Sequence, residues 1–128
     1  MIKYGYTILY VKDVEKTIAF YHTAFGFTQK FITQEKDYAE LDTGSTTLAF
    51  ALYSVAEYNG VAVTKSNIKS DAPSFELTFI TNDIKNDFKK AIAAGALLVK
   101  EPALKPWGQD VGYIRDINGF LIELCTPV

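Results

Sequence analysis

Tyr6-Thr7-Ile8-Leu9-Tyr10-Val11-Lys12-Asp13-Val14 and Glu76-Leu77-Thr78-Phe79-Ile80-Thr81-Asn82-Asp83-Ile84 share one pattern, an apolar strand run ending in an Asp that can begin a helix. The two Asp residues are separated by 83 − 13 = 70 positions. The same offset continues into the following helix, where Ile18 corresponds to Phe88. A self-similarity of this length indicates one supersecondary unit that is present twice. We therefore predict two copies of one module.

The first module is predicted to run strand, helix and three strands. Residues 4–11 form the first strand, with Leu9 and Val11 on one face and Ile8 and Tyr10 on the other, because side chains alternate along a strand. The helix begins after Asp13 and ends at Gly26, and short strands follow at about 27–34, 37–42 and 46–53.

The second module repeats this order, with a strand at 75–81, a helix at 83–94, a strand near 96–100, a Pro-flanked loop and a hairpin over 111–126. A three-residue loop that places Gly119 in the left-handed conformation would set Tyr113 opposite Glu123 and Arg115 opposite Leu121, all on one face. The fold class is α+β, with two βαβββ modules in one domain of residues 1–128. Module 1 covers about 1–54, a linker about 55–73 and module 2 about 74–128.

Composition excludes several classes of partner. The net charge is −2 with no run of like charges, so we expect neither a nucleic-acid partner nor a membrane surface. The N-terminus has no signal-peptide pattern and no apolar run is long enough to span a bilayer, which predicts a cytoplasmic protein. Cys125 is the single cysteine, so an internal disulfide and a thiolate zinc cluster are both excluded.

The chain resembles the vicinal oxygen chelate superfamily, which contains glyoxalases, bleomycin and fosfomycin resistance proteins and extradiol dioxygenases. The resemblance covers nearly the whole chain and is carried by the front strand with Phe25-Gly26-Phe27, by Pro106-Trp107-Gly108-Gln109, and by Arg115-Asp116-Ile117-Asn118-Gly119-Phe120-Leu121-Ile122-Glu123-Leu124. It implies that each module curls its sheet into half of an open barrel, with helices outside and a ligand in the trough of the paired sheets.

The resemblance also implies a metal site, usually of His on the first strands and Glu on the last strands of each module. The corresponding positions here are predicted to be Tyr6, Phe50, Glu76 and Glu123. Catalytic zinc, nickel or iron needs about three protein ligands, commonly including imidazole, and the chain's single His22 lies in the first helix, so no metal cofactor is predicted. The two carboxylates could still hold Mg²⁺ or Mn²⁺ through oxygen ligands.

The candidate site residues carry alternative interpretations. Glu123 and Glu76 are the candidates for general base, and a hydrogen-bonded structural role is the alternative for each. Trp107 could form a lid over a pocket or could cover the edge of the core. The predicted substrate-binding residues are aromatic side chains with polar tips and their polar neighbours: Tyr6, Phe50, Trp107, Gln109, Tyr113 and Arg115.

Three functions remain open from the sequence. The first is a homodimeric binding protein of the antibiotic-resistance type, which sequesters an aromatic or cationic compound without chemistry. The second is a lyase or isomerase of the glyoxalase type, in which Glu123 or Glu76 acts as general base and Tyr113 or Tyr6 donates to an oxyanion. The third is an accessory module without a ligand. One scaffold of this kind supports many activities, so the resemblance does not choose between them.

Overall fold

The computed structural model describes all 128 residues, which divide into two compact units. Unit 1 comprises Met1–His22 with Gly26–Lys65, and unit 2 comprises Thr23–Phe25 with Ser66–Val128. The elements in chain order are β1 Thr7–Val11, α1 Val14–Phe25, β2 Thr28–Ile32, β3 Tyr38–Asp42, β4 Thr47–Leu52, α2 Tyr53–Tyr58, β5 Glu76–Ile80, α3 Ile84–Ala93, β6 Leu97–Leu104, β7 Asp110–Arg115 and β8 Leu121–Cys125. None of the helices has the length and apolar character required to cross a membrane.

Each unit contains one four-stranded mixed sheet. Sheet 1 has the order β1-β4-β3-β2 and sheet 2 has the order β5-β8-β7-β6. The outer pair β1 and β4 is parallel, as is its counterpart β5 and β8, while the other neighbours are antiparallel. The identical strand order confirms the predicted α+β fold of two βαβββ modules.

The two long helices begin as their sequences predict. The Asp13 carboxylate accepts a hydrogen bond from the Lys16 amide, and the Asp83 carboxylate accepts one from the Asn86 amide, so each satisfies an amide that the helix leaves free. Helix α1 ends at Gly26, whose φ of 76° is left-handed.

The β7–β8 hairpin has the predicted turn. Gly119 adopts a φ of 87°, its amide donates to the Asp116 carbonyl, and the Asp116 amide donates to the Phe120 carbonyl. This turn pairs Tyr113 with Glu123 and Arg115 with Leu121, as predicted. The register therefore determines which side chains of sheet 2 share a face.

Two segments differ from prediction. Helix α2 occupies part of the region predicted as linker, and Leu52, the residue that precedes it, makes no side-chain capping bond that would reveal the helix in the sequence. Strand β6 continues to Leu104 where a loop was predicted. Because β6 is an edge strand, Pro102 can lie within it without removing a hydrogen bond that the sheet needs.

Candidate functional site

Phe50 lies on the covered face of sheet 1. Its ring is fully buried and packs against Tyr21 of α1, with the ring centroids 4.8 Å apart. Leu9 and Ala39 pair with Phe50 from the neighbouring strands and are also buried. The prediction that Phe50 lines a ligand-binding surface is therefore wrong, because this side chain belongs to the core between α1 and the sheet.

Ala49, one residue earlier, is the counterpart of Glu123. Ala49 pairs with Ile8 of β1, and Glu123 pairs with Thr78 of β5, which follows Ile8 by the repeat offset. The offset between the last strands of the two modules is therefore 123 − 49 = 74, whereas the predicted match of Phe50 with Glu123 implies 123 − 50 = 73. At this position the first module presents only a methyl group.

The face of sheet 1 opposite α1 carries a hydrogen-bonded pair of side chains. The Tyr38 hydroxyl donates to Glu40 Oε2 at 2.7 Å, and the ring of Phe31 lies 5.8 Å from the Tyr38 ring. Burial raises the pKa of Tyr38, and the hydrogen bond and charge of Glu40 raise it further, with an added contribution from Tyr6. We call this surface the tyrosine face of sheet 1 and define it by Tyr6, Ile8, Phe31, Tyr38 and Glu40.

Sheet 2 carries a similar pair on the face opposite α3. The Tyr113 hydroxyl donates to Glu123 Oε1 at 3.0 Å, and the Thr78 hydroxyl donates to Glu76 Oε2 at 2.9 Å. Register places these four side chains on one face, since Thr78 pairs with Glu123 and Glu123 pairs with Tyr113. We call this surface, defined by Glu76, Thr78, Tyr113 and Glu123, the tyrosine face of sheet 2.

Burial, with a further contribution from Glu123, raises the pKa of Tyr113 and of Cys125. Burial raises the pKa of Tyr113 to about 12, and the hydrogen bond to Glu123 and the charges of Glu123 and Glu76 contribute to the shift. The pKa of the Cys125 thiol is also raised, by burial first and then by its hydrogen bond to Glu123. Near neutral pH this face therefore offers a neutral phenol beside carboxylate oxygens, while the neutral thiol of Cys125 is buried.

Arg115 holds the backbone of its own unit. Its Nε donates to the Gly119 carbonyl at 2.8 Å, Nη2 to Asn67 at 3.1 Å and Nη1 to Ile68 at 3.3 Å. Only 9% of the side chain is exposed, and its guanidinium is directed to these carbonyls. This arrangement supports a structural role in fastening the segment before β5 to the β7–β8 turn, in place of the predicted ligand contact.

Trp107 and Gln109 form a pair in the β6–β7 loop. The indole Nε1 donates to Gln109 Oε1 at 2.7 Å, and Gln109 Nε2 donates to the Thr126 carbonyl at 2.8 Å. Trp107 is 65% exposed, so it does not cover the core. The Gln109 amide instead holds an accessible indole ring at the end of sheet 2.

The residues at the metal positions expected from the resemblance do not fit a catalytic zinc, nickel or iron site. Unit 1 supplies the Tyr6 phenol and the Ala49 methyl group, while unit 2 supplies Glu76 and Glu123, both of which already accept hydrogen bonds. The chain has no group of three or more His, Cys, Asp and Glu side chains placed to hold a metal ion. His22 lies in α1, where its Nδ1 is 3.0 Å from the Phe27 carbonyl oxygen.

Sequence reasoning missed Tyr38 and Glu40. A signal was present, because Tyr38, Glu40 and Asp42 alternate with the buried Ala39 and Leu41 along β3. This alternation places the three polar side chains on the face opposite α1. In sheet 1 both members of the Tyr–Glu pair therefore lie on β3. In sheet 2 the tyrosine lies on β7 and the glutamate on β8.

Comparison with known proteins supports the fold. The model of the Glyoxalase/Bleomycin resistance protein/Dioxygenase superfamily matches residues 3–124. A glyoxalase-related enzyme from Fulvimarina pelagi superposes with a TM-score of 0.84 at 23% identity, covering 99% of this chain and 89% of that one. A family enzyme from Burkholderia phytofirmans PsJN gives 0.83 at 22% identity, covering 97% and 98%. The protein YraH of Bacillus subtilis (strain 168) is 28% identical over 119 residues, which is 91% of each chain.

Proposed function

Because this chain belongs to the Glyoxalase/Bleomycin resistance protein/Dioxygenase superfamily, we propose that it binds a small molecule that is both aromatic and cationic on its tyrosine faces, without a catalytic metal. The observation that carries the proposal is the Tyr–Glu pair on each sheet, Tyr38 with Glu40 and Tyr113 with Glu123. Both pairs lie opposite the helix-covered face of their sheet.

The chemistry of these faces favours a cation. A carboxylate accepts hydrogen bonds and attracts positive charge, and the face of an aromatic ring attracts a cation through its quadrupole. On sheet 1, Tyr6 and Phe31 leave 52% and 45% of their surface exposed beside the Tyr38–Glu40 pair. On sheet 2 the register also places Arg115 and Lys100 on the face of the two glutamates. The Arg115 guanidinium is occupied by backbone carbonyls, so two carboxyl groups face one unoccupied basic group. A positively charged aromatic molecule complements both surfaces better than an anion does.

Isothermal titration with benzyltrimethylammonium tests the proposal, and benzyl alcohol and benzoate serve as neutral and anionic controls. We expect measurable affinity for the cation alone. Glu40→Gln and Glu123→Gln should each reduce it by about 5-fold or more, since a partly buried charge contact contributes roughly 1 kcal/mol. Glu57→Gln removes the same charge from an exposed helix position and should have no effect. Equal binding of all three probes would contradict the proposal.

A second candidate is proton transfer on sheet 2, favoured by the 3.0 Å contact of Tyr113 with Glu123. Glu123 would remove a proton from a carbon acid, while the Tyr113 hydroxyl, kept protonated by a pKa of about 12, would donate to the oxyanion that develops. Deuterium exchange into a bound ketone or aldehyde would reveal this activity. Glu123→Gln should abolish the exchange, whereas a protein that only binds gives no exchange above solvent.

We further propose that the protein acts as a cytoplasmic homodimer. A single buried cysteine suits a reducing compartment, because proteins of oxidising compartments commonly use disulfides. Strand β6 offers a pairing surface at the edge of sheet 2, where Leu97, Leu98, Val99 and Leu104 are 47%, 45%, 43% and 72% exposed. Analytical ultracentrifugation of the full chain tests the dimer, and a monomer at all concentrations would contradict it.

A further inference from the structure

Unit 1 contains a groove that the proposed function does not use. It lies between α1 and strands β2 and β3, has a volume of about 510 Å³, and includes Glu15, Ile18, His22, Ile32, Lys36 and Leu41 in its lining. We call it the α1 groove. Its α1 wall and Phe50 of the core belong to the side of sheet 1 opposite the tyrosine face, so the two surfaces are separate.

Side chains of opposite charge line one end of this groove. Glu15 lies in the first turn of α1, and Lys36 lies in the turn after β2. The connection from α1 to β2 is only Gly26-Phe27, so β2 runs back along the helix and brings its far end beside the start of α1. Neither side chain makes a hydrogen bond or an ion pair within the chain, and both remain available to a ligand.

The rest of the groove is lined mainly by apolar side chains, with Thr28 and Gln29 beside them, and it reaches the imidazole. Ile18 and Ile32 are half-buried in its walls, and Leu41 is buried. His22 lies seven residues after Glu15 on α1, which separates their Cα atoms by roughly 10 Å at the helical rise. Because the Phe27 carbonyl can only accept a hydrogen bond, His22 Nδ1 carries a proton, and Nε2 is left as an acceptor in the neutral ring.

From this arrangement we propose that the α1 groove binds a free α-amino acid with an apolar side chain. The ligand ammonium pairs with the Glu15 carboxylate and the ligand carboxylate pairs with the Lys36 ammonium. The ligand side chain then lies on Ile18, Ile32 and Leu41 and extends toward His22. A zwitterion pairs with both the Glu15 carboxylate and the Lys36 ammonium. A singly charged molecule pairs with only one of these two groups.

The single histidine provides the reporter. His22 is the only His in the chain, so its imidazole gives one carbon-bound proton signal of each type in an NMR spectrum, without ambiguity of assignment. We expect L-leucine to shift this signal in a saturable manner at millimolar concentrations. 4-Methylpentanoate and 3-methylbutylamine, which keep the side chain and one charge each, should bind about 5-fold more weakly.

Substitutions at the groove locate the contacts. Glu15→Gln and Lys36→Met should each weaken L-leucine binding by about 5-fold, and both positions are exposed, so the fold is retained. Absence of a saturable shift, or binding of either singly charged analogue as tightly as L-leucine, would overturn the proposal. Glu123→Gln is the control that separates the two sites: it should leave L-leucine binding unchanged even if it abolishes binding of benzyltrimethylammonium.

Discussion

Gly112→Ala tests which face of sheet 2 is covered. Gly112 alternates with Tyr113 on β7, so the two residues point to opposite faces. A Cβ built at Gly112 would lie 2.7 Å from Phe88 Cε2 and 3.0 Å from Pro102 Cγ. Phe88 belongs to α3 and is only 3% exposed, so its ring has little room to move. The substitution should therefore overpack the contact between α3 and the sheet.

The expected cost follows from two opposing effects. Overpacking a core contact costs about 1–3 kcal/mol, while replacing Gly with Ala restricts the unfolded chain and returns about 0.4–1 kcal/mol. The free energy of unfolding should thus fall by about 1–2 kcal/mol. With a urea dependence of about 2 kcal/mol per molar, the midpoint of unfolding should move down by about 0.5–1 M.

Gly5→Ala is the matched control. A Cβ at Gly5 meets no atom within 4 Å, and Gly5 does not have a left-handed φ. Urea unfolding followed by far-ultraviolet circular dichroism should therefore give a midpoint at or slightly above that of the parent protein. If Gly112→Ala unfolds at the same urea concentration as Gly5→Ala, then α3 does not cover Gly112, and the assignment of Tyr113 to the opposite face fails.

Three further predictions concern the core, protonation and association. Phe50→Ala should lower the free energy of unfolding by about 3–5 kcal/mol and Tyr10→Ala by clearly less in the same urea assay, because only Phe50 is fully buried. Tyr113 should ionise near pH 12 in an ultraviolet titration of phenolate absorbance. Tyr113→Phe should remove the rise in absorbance at that pH. Since its pKa is raised on folding, Tyr113 contributes stability below about pH 10 that disappears as pH rises toward about 12, which pH-dependent unfolding checks. Leu104→Lys should shift the proposed dimer toward monomer in ultracentrifugation, whereas Tyr58→Lys, at a more exposed position outside the strand, should not.

The repeated pattern predicted the fold because local signals and tertiary structure agree. Alternation along β1 leaves Leu9 and Val11 buried and Ile8 exposed. Asp13 and Asp83 accept the amide hydrogen bonds expected of residues that begin helices. Because the strand alternation and the helix-starting Asp occur in both modules, one sequence was enough to predict the order of the elements.

Strand β4 shows where sequence reasoning failed. Its residues Leu48, Ala49, Phe50 and Ala51 are all apolar and all buried, so no polar residue marks which positions share a face. The register was therefore open to an error of one residue, which exchanges the two faces of a strand. In β8, by contrast, Glu123 interrupts the apolar run and identifies its face.

The central claim is that the tyrosine faces bind a cationic aromatic molecule. Intermolecular nuclear Overhauser effects from benzyltrimethylammonium to the protein rings test it most directly. We expect contacts from the ligand methyl protons to the rings of Tyr38 and Tyr113, and none to the rings of Phe50 and Phe88 on the helix-covered faces. Contacts confined to other surfaces, or none to either tyrosine at saturating ligand, would contradict it.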